Sequence, residues 1–355
     1  VYKRQNKPSA ARASSKQAAV ILTAQTPRLR SARQRSGHPL PAGDHRGRCA
    51  ARGVLQFPRM GLVFPFALPV ARLAIGLITS ALIGWLAYRR KSLSRSGVLG
   101  AILTGTLIFG FGGLTAGLLL IAFFVSSSAL SRYKASSALK RLAAEQFDKG
   151  GQRDLGQALA NGGAAAGLAV LGWLTQDQPV LSGALYAAMV GALATANADT
   201  WATELGVLST TSPRLITRLS QRVSPGTSGG VTPLGGGAAL GGAAFIAISY
   251  VVFIFIEQAL GGEHSAPGAA WAVMVGATVA GLAGALFDSL LGATVQAMYY
   301  SDQRGKETEK AFERDGTPNR LIRGWPWLNN DWVNFLASLF GAATSALVFS
   351  ILRAG

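Results

Sequence analysis

The chain has 355 residues, of which 49% are hydrophobic and only 14% charged, with a mean hydropathy of +0.31. Soluble domains carry about 25% charged residues, and here the apolar residues fall in long blocks, which excludes a water-soluble globule and points to a polytopic membrane protein. The net charge of +18 does not mark a nucleic-acid binder, because residues 1–60 hold 13 Lys/Arg against the single acid Asp44 and contribute +12, leaving +6 for the rest.

The opening segment, 1–62, is rich in Arg, Ser, Ala and Gln and has no apolar run long enough for a secretory signal. That is the composition of an organelle transit peptide, expected to be disordered ahead of an integral membrane domain at 63–355. Cys49, the only cysteine, lies in this segment with His38 and His45, so His264 is the one histidine or cysteine beyond it. The membrane domain therefore has no material for a disulfide, a Cys-ligated zinc, an iron–sulfur cluster, a thiol nucleophile, a histidine metal site or a Ser-His-Asp triad.

A helix needs about 20 apolar residues to cross a bilayer. Eight segments qualify in chain order: 69–88, 97–112, 113–131, 156–175, 180–199, 236–257, 268–288 and 333–352. The fold class is therefore all-α, a transmembrane helix bundle of about eight spans. The second and third spans read as a tight hairpin about Phe111-Gly112-Gly113, or as one long helix, which leaves seven. The loops test the count. Connections 89–96, 132–155 and 200–235 carry four, six and three Lys/Arg respectively, whereas 112–113, 176–179 and 258–267 carry none. Eight spans place every basic loop on one side, the stromal, matrix or cytoplasmic side, with both ends of the bundle opposite. Gly237 and Gly241 form a small-xxx-small spacing suited to close helix packing. Neither GxxxxGK[ST] nor a strand-linked GxGxxG occurs, so no P-loop or Rossmann site is indicated.

Polar side chains inside spans are costly and mark candidate sites. Arg153, Gln157 and Asn161 recur every four residues, a polar stripe running inward from the basic side. Asn197, Asp199 and Glu204 end the fifth span. If the helix unwinds near Gly206, Asp199 and Glu204 can meet at one ion, and hard oxygen donors at a membrane boundary suit Mg²⁺. Arg214, Arg218 and Arg222, spaced by four, read as a basic helical stripe. The loop Ser224-Pro225-Gly226-Thr227-Ser228-Gly229-Gly230 follows, and then a span begins, an arrangement whose backbone N–H groups can nest a phosphate. Asp288 ends the seventh span with Gln296 beyond it, and "ADTWATELG" and "FDSLLGATVQ" hint at an internal repeat. Asn329, Asn330, Asp331 and Asn334 open the last span, with Asp331 as its N-cap. All these groups map to the basic side of the membrane. Acids, arginines and a glycine-rich loop at one leaflet boundary suit phosphate esters and Mg²⁺, and lipid-facing helices suit an apolar chain on the phosphate.

The segments "RDLGQALANGG", "NADTWATELG", "VSPGTSGGVTPLGG", "FDSLLGATVQ" and "NNDWVN", in that order across about 70–352, resemble the integral-membrane family that contains the phytyl-phosphate kinases of plastids and cyanobacteria. The resemblance implies phosphorylation of phytyl phosphate to the diphosphate in phytol salvage for tocopherol and phylloquinone. It implies a nucleoside triphosphate donor, with CTP among the candidates, and a multi-pass location in the chloroplast inner envelope. By motif it implies functional positions at Arg153, Gln157, Asn161, Asn197, Asp199, Glu204, Thr227, Ser228, Asp288, Gln296 and Asn330. On that reading Asp199, Glu204 and Asp288 are catalytic and hold Mg²⁺. Arg153, Arg218 and Arg222, with Ser224, Gly226, Thr227, Ser228 and Gly229, bind phosphates. The basic tail and the loop 301–325 are not part of the family pattern. The alternatives are another isoprenoid-phosphate transferase or phosphatase using the same site, or a transporter.

Overall fold

The computed structural model describes residues 67–132, 152–261, 267–313 and 315–354. The transit-like segment, His264 and the basic connection 133–151 lie outside them. The described residues form helices α1 (Ala67–Arg89), α2 (Arg95–Arg132), α3 (Leu155–Leu174) and α4 (Pro179–Gly206), then strands β1 (Arg214–Leu215), β2 (Arg218–Arg222) and β3 (Gly230–Val231). After these come α5 (Pro233–Ala259), α6 (Pro267–Thr294), β4 (Met298–Ser301), β5 (Lys306–Thr308), β6 (Arg320–Arg323) and α7 (Asn330–Ala354). All the helices except α3 are long and apolar enough to cross a membrane by length and composition. The 20 residues of α3 are diluted by Gln157 and Asn161.

At 1.5 Å per residue the 38 residues of α2 would span about 57 Å, nearly twice a bilayer core. The helix breaks at Gly113 (φ 83°, ψ −171°), a conformation that glycine reaches without a Cβ penalty. A Cβ on Gly105 would touch Leu120 at 3.8 Å, although 15 residues of straight helix would separate them by about 22 Å. So α2 is the hairpin, with arms 95–112 and 114–132, and among the described residues the six helices long and apolar enough to cross supply seven segments, with the shorter α3 as the eighth of the bundle. Glu257 of α5 fixes the turn. Its carboxylate accepts from the Thr115 backbone N–H at 2.9 Å and from the Thr115 hydroxyl, at the N-terminus of the second arm where N–H groups lack helical partners.

Central to the bundle is α4, whose residues 187–198 are all buried. It packs against α3, α5, α6, α7 and the hairpin. Small residues permit this crowding, and hydroxyls tie the backbones together. Ser345 donates to the Ala187 carbonyl at 2.7 Å and Thr195 to the Ala280 carbonyl at 3.1 Å. A Cβ on Gly284 or Gly341 would overlap the Thr195 side chain. The expected Gly237/Gly241 contact is not where α5 packs closely. A Cβ on Gly237 meets nothing within 4 Å, whereas one on Gly242 would stand 3.1 Å from the Ala198 Cα. The seam follows the face turned toward α4, and Gly237 lies off it.

Hydrogen bonds gather the span ends as the loop charges require. Ser94 N–H donates to the Arg153 carbonyl at 2.9 Å, and Arg132 donates to the Arg90 carbonyl at 2.8 Å. Loops after α1, α2, α4 and α6 therefore open on one side. Two of them carry three-stranded antiparallel sheets, ordered β2-β1-β3 and β5-β4-β6. The expected helical arginine stripe is instead a β-hairpin, with Arg214 opposite Arg222. Pro213 and Pro225 bracket a run too short to repay helix nucleation. A four-residue spacing keeps Arg218 and Arg222 on one face of a strand as well as of a helix, so the spacing did not discriminate.

Candidate functional site

Two groups of polar side chains form at the basic-side boundary, on different faces of α4. The first surrounds Arg153. Here α3 opens with a capping box, in which Gln157 N–H donates to Asp154 Oδ1 at 3.0 Å and Asp154 N–H donates to Gln157 Oε1 at 3.3 Å. Asn161 Nδ2 donates to the Gln157 carbonyl at 2.9 Å. The expected polar stripe is thus partly a helix start, a role that needs Asp154 as well. Arg153, just before it, is locked by its backbone to Ser92 and Ser94. Its Nη1 reaches Ser128 Oγ at 3.4 Å, and its guanidinium lies over the Phe124 ring at 5.7 Å. Burial lowers its pKa from the ordinary arginine value, and the charge of Glu204 opposes that shift. Glu204 in turn accepts from Ser131 Oγ at 2.6 Å.

Because α4 stays helical through Gly206, Asp199 and Glu204 remain about 140° apart around its axis. The unwinding that would bring both to one ion does not occur. Asp199 belongs to a second group. Thr195 contacts Gly284 and Ala280 on α6. The two helices run in the same direction, so one turn further on Asp199 and Asp288 lie at the same depth. Asp288 is within electrostatic reach of Asp199 and of Glu309. Its Oδ2 is buried and has no hydrogen-bond partner among the described residues. On the antiparallel α7, Gly341 abuts Thr195, which brings Ser338 to the same level. Ser338 is 1% exposed, and its Oγ also lacks a partner among the described residues.

The glycine-rich loop packs on the end of α6 beside this pair. Gly229 (φ 81°) lies so close that a Cβ would stand 2.5 Å from that of Ala293. Ser228 Oγ donates to Gln296 Oε1 at 2.7 Å, and Gln296 Nε2 donates to Glu309 Oε1 at 2.9 Å. Gln296 is 1% exposed. The loop leads through Thr232, which caps the Gly235 N–H at 2.9 Å, into the N-terminus of α5. The sequence reading set segment 301–325 apart and so missed Glu309, which comes from just beyond β5. It also missed Ser338, which reads as an ordinary small residue in an apolar span.

The remaining expected residues lie elsewhere. Arg218 and Arg222 are exposed on β2, and Ser224 is exposed beside them. Thr227 and Gly226 form the turn preceding Ser228, closed by the Thr227 N–H on the Ser224 carbonyl at 3.1 Å. Asn197 is fully buried and ties helices together, donating to the Gly242 carbonyl at 2.8 Å and accepting from Ser126 Oγ at 3.0 Å. Asn330 is the first residue of α7. The cap is Asn329, whose Oδ1 accepts from Trp332 N–H at 3.1 Å. Asp331, expected to cap, sits inside the first turn, where its charge still favours the dipole.

Among the described residues, no group of three or more His, Cys, Asp or Glu is placed to hold a metal ion by itself. Mg²⁺ in phosphate chemistry is held by one or two carboxylates together with substrate oxygens and waters. Asp199 and Asp288, with an orphan carboxylate oxygen, fit that donor set.

The fold and the site define a multi-pass helical membrane protein with a half-buried acidic pair and a glycine-rich loop at one leaflet boundary. The chain belongs to the integral membrane protein DUF92 family, whose model matches residues 78–342. It is 36% identical to Protein PGR of Arabidopsis thaliana over 280 residues, 76% of this chain and 94% of that one. It is 28% identical over 282 residues to the uncharacterized membrane protein MJ0933 of Methanocaldococcus jannaschii, covering 79% of this chain and 96% of that one. No solved structure matches it.

Proposed function

We propose that this protein transfers a phosphoryl group from a nucleoside triphosphate to phytyl phosphate or a closely similar isoprenoid monophosphate, in phytol salvage. The observation that carries the reading is the Asp199–Asp288 pair, with its unpartnered Oδ2, beside the Ser228–Gln296–Glu309 network at a leaflet boundary. Bound Mg²⁺ there supplies neutralising charge to the donor's phosphates. Backbone N–H groups of Gly226, Ser228 and Gly229 serve the same anions, the Thr227 N–H being spent on the Ser224 carbonyl, and Arg218 and Arg222 meet the triphosphate from the solvent side. Arg153 binds the acceptor phosphate through its planar fork, with Glu204 and Ser131 holding its surroundings in place. An acceptor phosphate oxygen attacks the terminal phosphorus, the bond to the bridging oxygen breaks, and the nucleoside diphosphate leaves with that electron pair. The acceptor oxygen is already anionic at neutral pH, so no strong general base is needed and the scarcity of histidine in the membrane domain, where His264 stands alone, is no obstacle. The transit-peptide-like composition of residues 1–62 supports a plastid membrane as the setting.

The test uses purified protein in nanodiscs with phytyl phosphate, Mg²⁺ and each of four labelled triphosphates. The expected result is a lipid diphosphate from at least one donor, reduced about 100-fold or more in Asp199→Asn and Asp288→Asn. No lipid diphosphate from any donor refutes the assignment. Release of inorganic phosphate without nucleotide indicates a phosphatase, and a prenylated product with pyrophosphate release indicates a transferase.

A further inference from the structure

A cavity of about 90 Å³ lies between α1 and α3, floored by both arms of the α2 hairpin. Its lining runs over two to three turns of each helix, for example Gly76 to Ile83 on α1 and Gly117 to Phe124 on the second arm. It is therefore a slot roughly 10–14 Å long and parallel to the helices. Arg153 sits at one end, Gln157 and Asn161 follow it along the α3 wall at four-residue steps, Thr79 and Ser80 stand on α1, and the rest of the lining is mainly glycine, alanine, isoleucine, leucine and phenylalanine. The hydroxyl of Thr104 there is already spent on the Gly100 carbonyl at 2.8 Å. The surface facing the slot is nonetheless mostly apolar, its other polar groups confined to the α3 edge and to two hydroxyls of α1. The slot is dimensioned for hydrocarbon. It is also open sideways, since α1 packs substantially on α2 alone while α3 packs on α2, α4 and α7, so the backbone bridge from Ser92 and Ser94 to Arg153 holds the two at one end and leaves the length of the slot unclamped.

We infer that this slot holds the single apolar chain of a phosphate monoester entering from the bilayer, with its phosphate against Arg153. The inference rests on the reading of the site as one that handles isoprenoid phosphates, and it adds where the chain lies and how it enters. Charge complementarity selects the head. The half-buried guanidinium of Arg153 has five N–H donors, and among the described residues the only side chain it reaches by hydrogen bond is Ser128, at 3.4 Å. The narrow slot selects one chain over two. A chain that arrives from lipid gains no transfer free energy from water on entering the slot, so its fit to the walls and the charge at Arg153 set the preference.

The experiment uses the full chain in nanodiscs without nucleotide, and a phytyl monophosphate carrying a photoreactive diazirine at the chain end. Adducts are mapped by peptide mass spectrometry. The expected result is labelling of 76–83 and 117–124, competed by unlabelled phytyl monophosphate but not by phosphatidic acid, which has two chains, nor by inorganic phosphate. Ala101→Phe, which fills the slot from the first arm, reduces this labelling at least tenfold. Ile83→Phe fills it from α1 and serves should the first variant fail to fold. Arg153→Gln weakens competition by phytyl monophosphate at least tenfold and leaves competition by the uncharged alcohol unaltered. Labelling confined to other helices, or filling variants that label like the wild type, overturns the inference. Formation of lipid diphosphate together with that result leaves phosphoryl transfer standing. Slot labelling without turnover on any triphosphate refutes phosphoryl transfer and leaves the slot standing.

Discussion

Replacing Gln296 by glutamate puts a carboxylate where an amide donor now meets Glu309 at 2.9 Å. The Ser228 bond survives, because a carboxylate oxygen still accepts the hydroxyl that now sits 2.7 Å from Gln296 Oε1. The loss is therefore confined to the 296–309 contact. A hydrogen bond to a charged group contributes about 1.5–3 kcal/mol, and breaking a buried charged contact by altering one partner costs about 3–5 kcal/mol. With some 2–4 °C per kcal/mol for a chain of this order, the thermal midpoint should fall by about 10 °C. Like charges raise the folded-state pKa of the pair above the unfolded value. The deficit should therefore shrink as pH falls below that raised pKa, when a shared proton restores a donor, and grow as pH rises through it. Glu309→Gln alone should cost less, since its amide oxygen still accepts. The double variant Gln296→Glu/Glu309→Gln reverses the bond, with residue 309 now donating, and should recover most of the midpoint and of any phosphoryl transfer. A fluorescence melt of the four proteins in one detergent measures the cycle. If the double variant melts as low as Gln296→Glu alone, the two side chains do not depend on each other and the network has been misassigned.

Helix packing gives a paired comparison. Gly281→Ala drives a Cβ to 2.5 Å from that of Ala243 and 3.0 Å from the Ala194 carbonyl, and should destabilise by about 1–3 kcal/mol, whereas Gly237→Ala enters open space and should leave the melt within about 0.5 kcal/mol. Glu257→Leu leaves two donors of Thr115 unmet at the hairpin turn and should cost about 2–4 kcal/mol, with Glu257→Gln costing less because it still accepts; equal melts for the two variants would count against the capping role. In the 301–319 loop, hydrogen bonds from Arg304, then Ser301 and Asn319, hold the Glu313 carboxyl at about 2 against an ordinary 4.5. A depressed carboxyl stabilises above its unfolded value, so this contribution is complete above about pH 4.5 and is lost as pH falls toward 2. Hydrogen exchange across 301–319 should stay slow at pH 5 and quicken by pH 3, and Arg304→Met should abolish the dependence.

What could be read in advance followed from solvent physics. A bilayer demands about 20 apolar residues per crossing and sorts Lys and Arg to one side, so the span list, the hairpin option at Gly112-Gly113 and the common face of the polar groups were legible. The matching Asp-Thr and Asp-Ser positions of α4 and α6 also pointed to Asp199 and Asp288, which their parallel helices then set level. Three features were not legible. The arginine run looked helical because four-residue spacing serves both periodicities. Glu309 lies in a loop whose charges follow no period, and only the strand pairing of Tyr299 with Thr308 carries it back to Gln296. Glu257 resembled the final residue of a span, when its partner is the broken backbone of α2, 142 positions earlier. The Glu309 and Glu257 misses are contacts 13 and 142 positions apart, set by tertiary pairing and not by local pattern, whereas the arginine run is a local hairpin whose spacing fits both periods.

The division of labour within the site follows from the same packing. Asp199 and Asp288 ride on α4 and α6, close-packed helices whose small residues fix their separation, and a charge pair aimed at a transferring phosphoryl group works only when its geometry is set before the substrate arrives. The arginines of β2 and the loop at Ser224 are exposed, held by short strands, and placed where a triphosphate can approach from water. Arg153 stands at one end of a mostly apolar slot. On the proposed reading, the acidic pair, the exposed basic hairpin and the guanidinium at the slot serve a reaction in which one reactant is soluble and the other dissolves only in the membrane. Neither reactant would then have to leave its own phase before the two phosphates meet at the boundary.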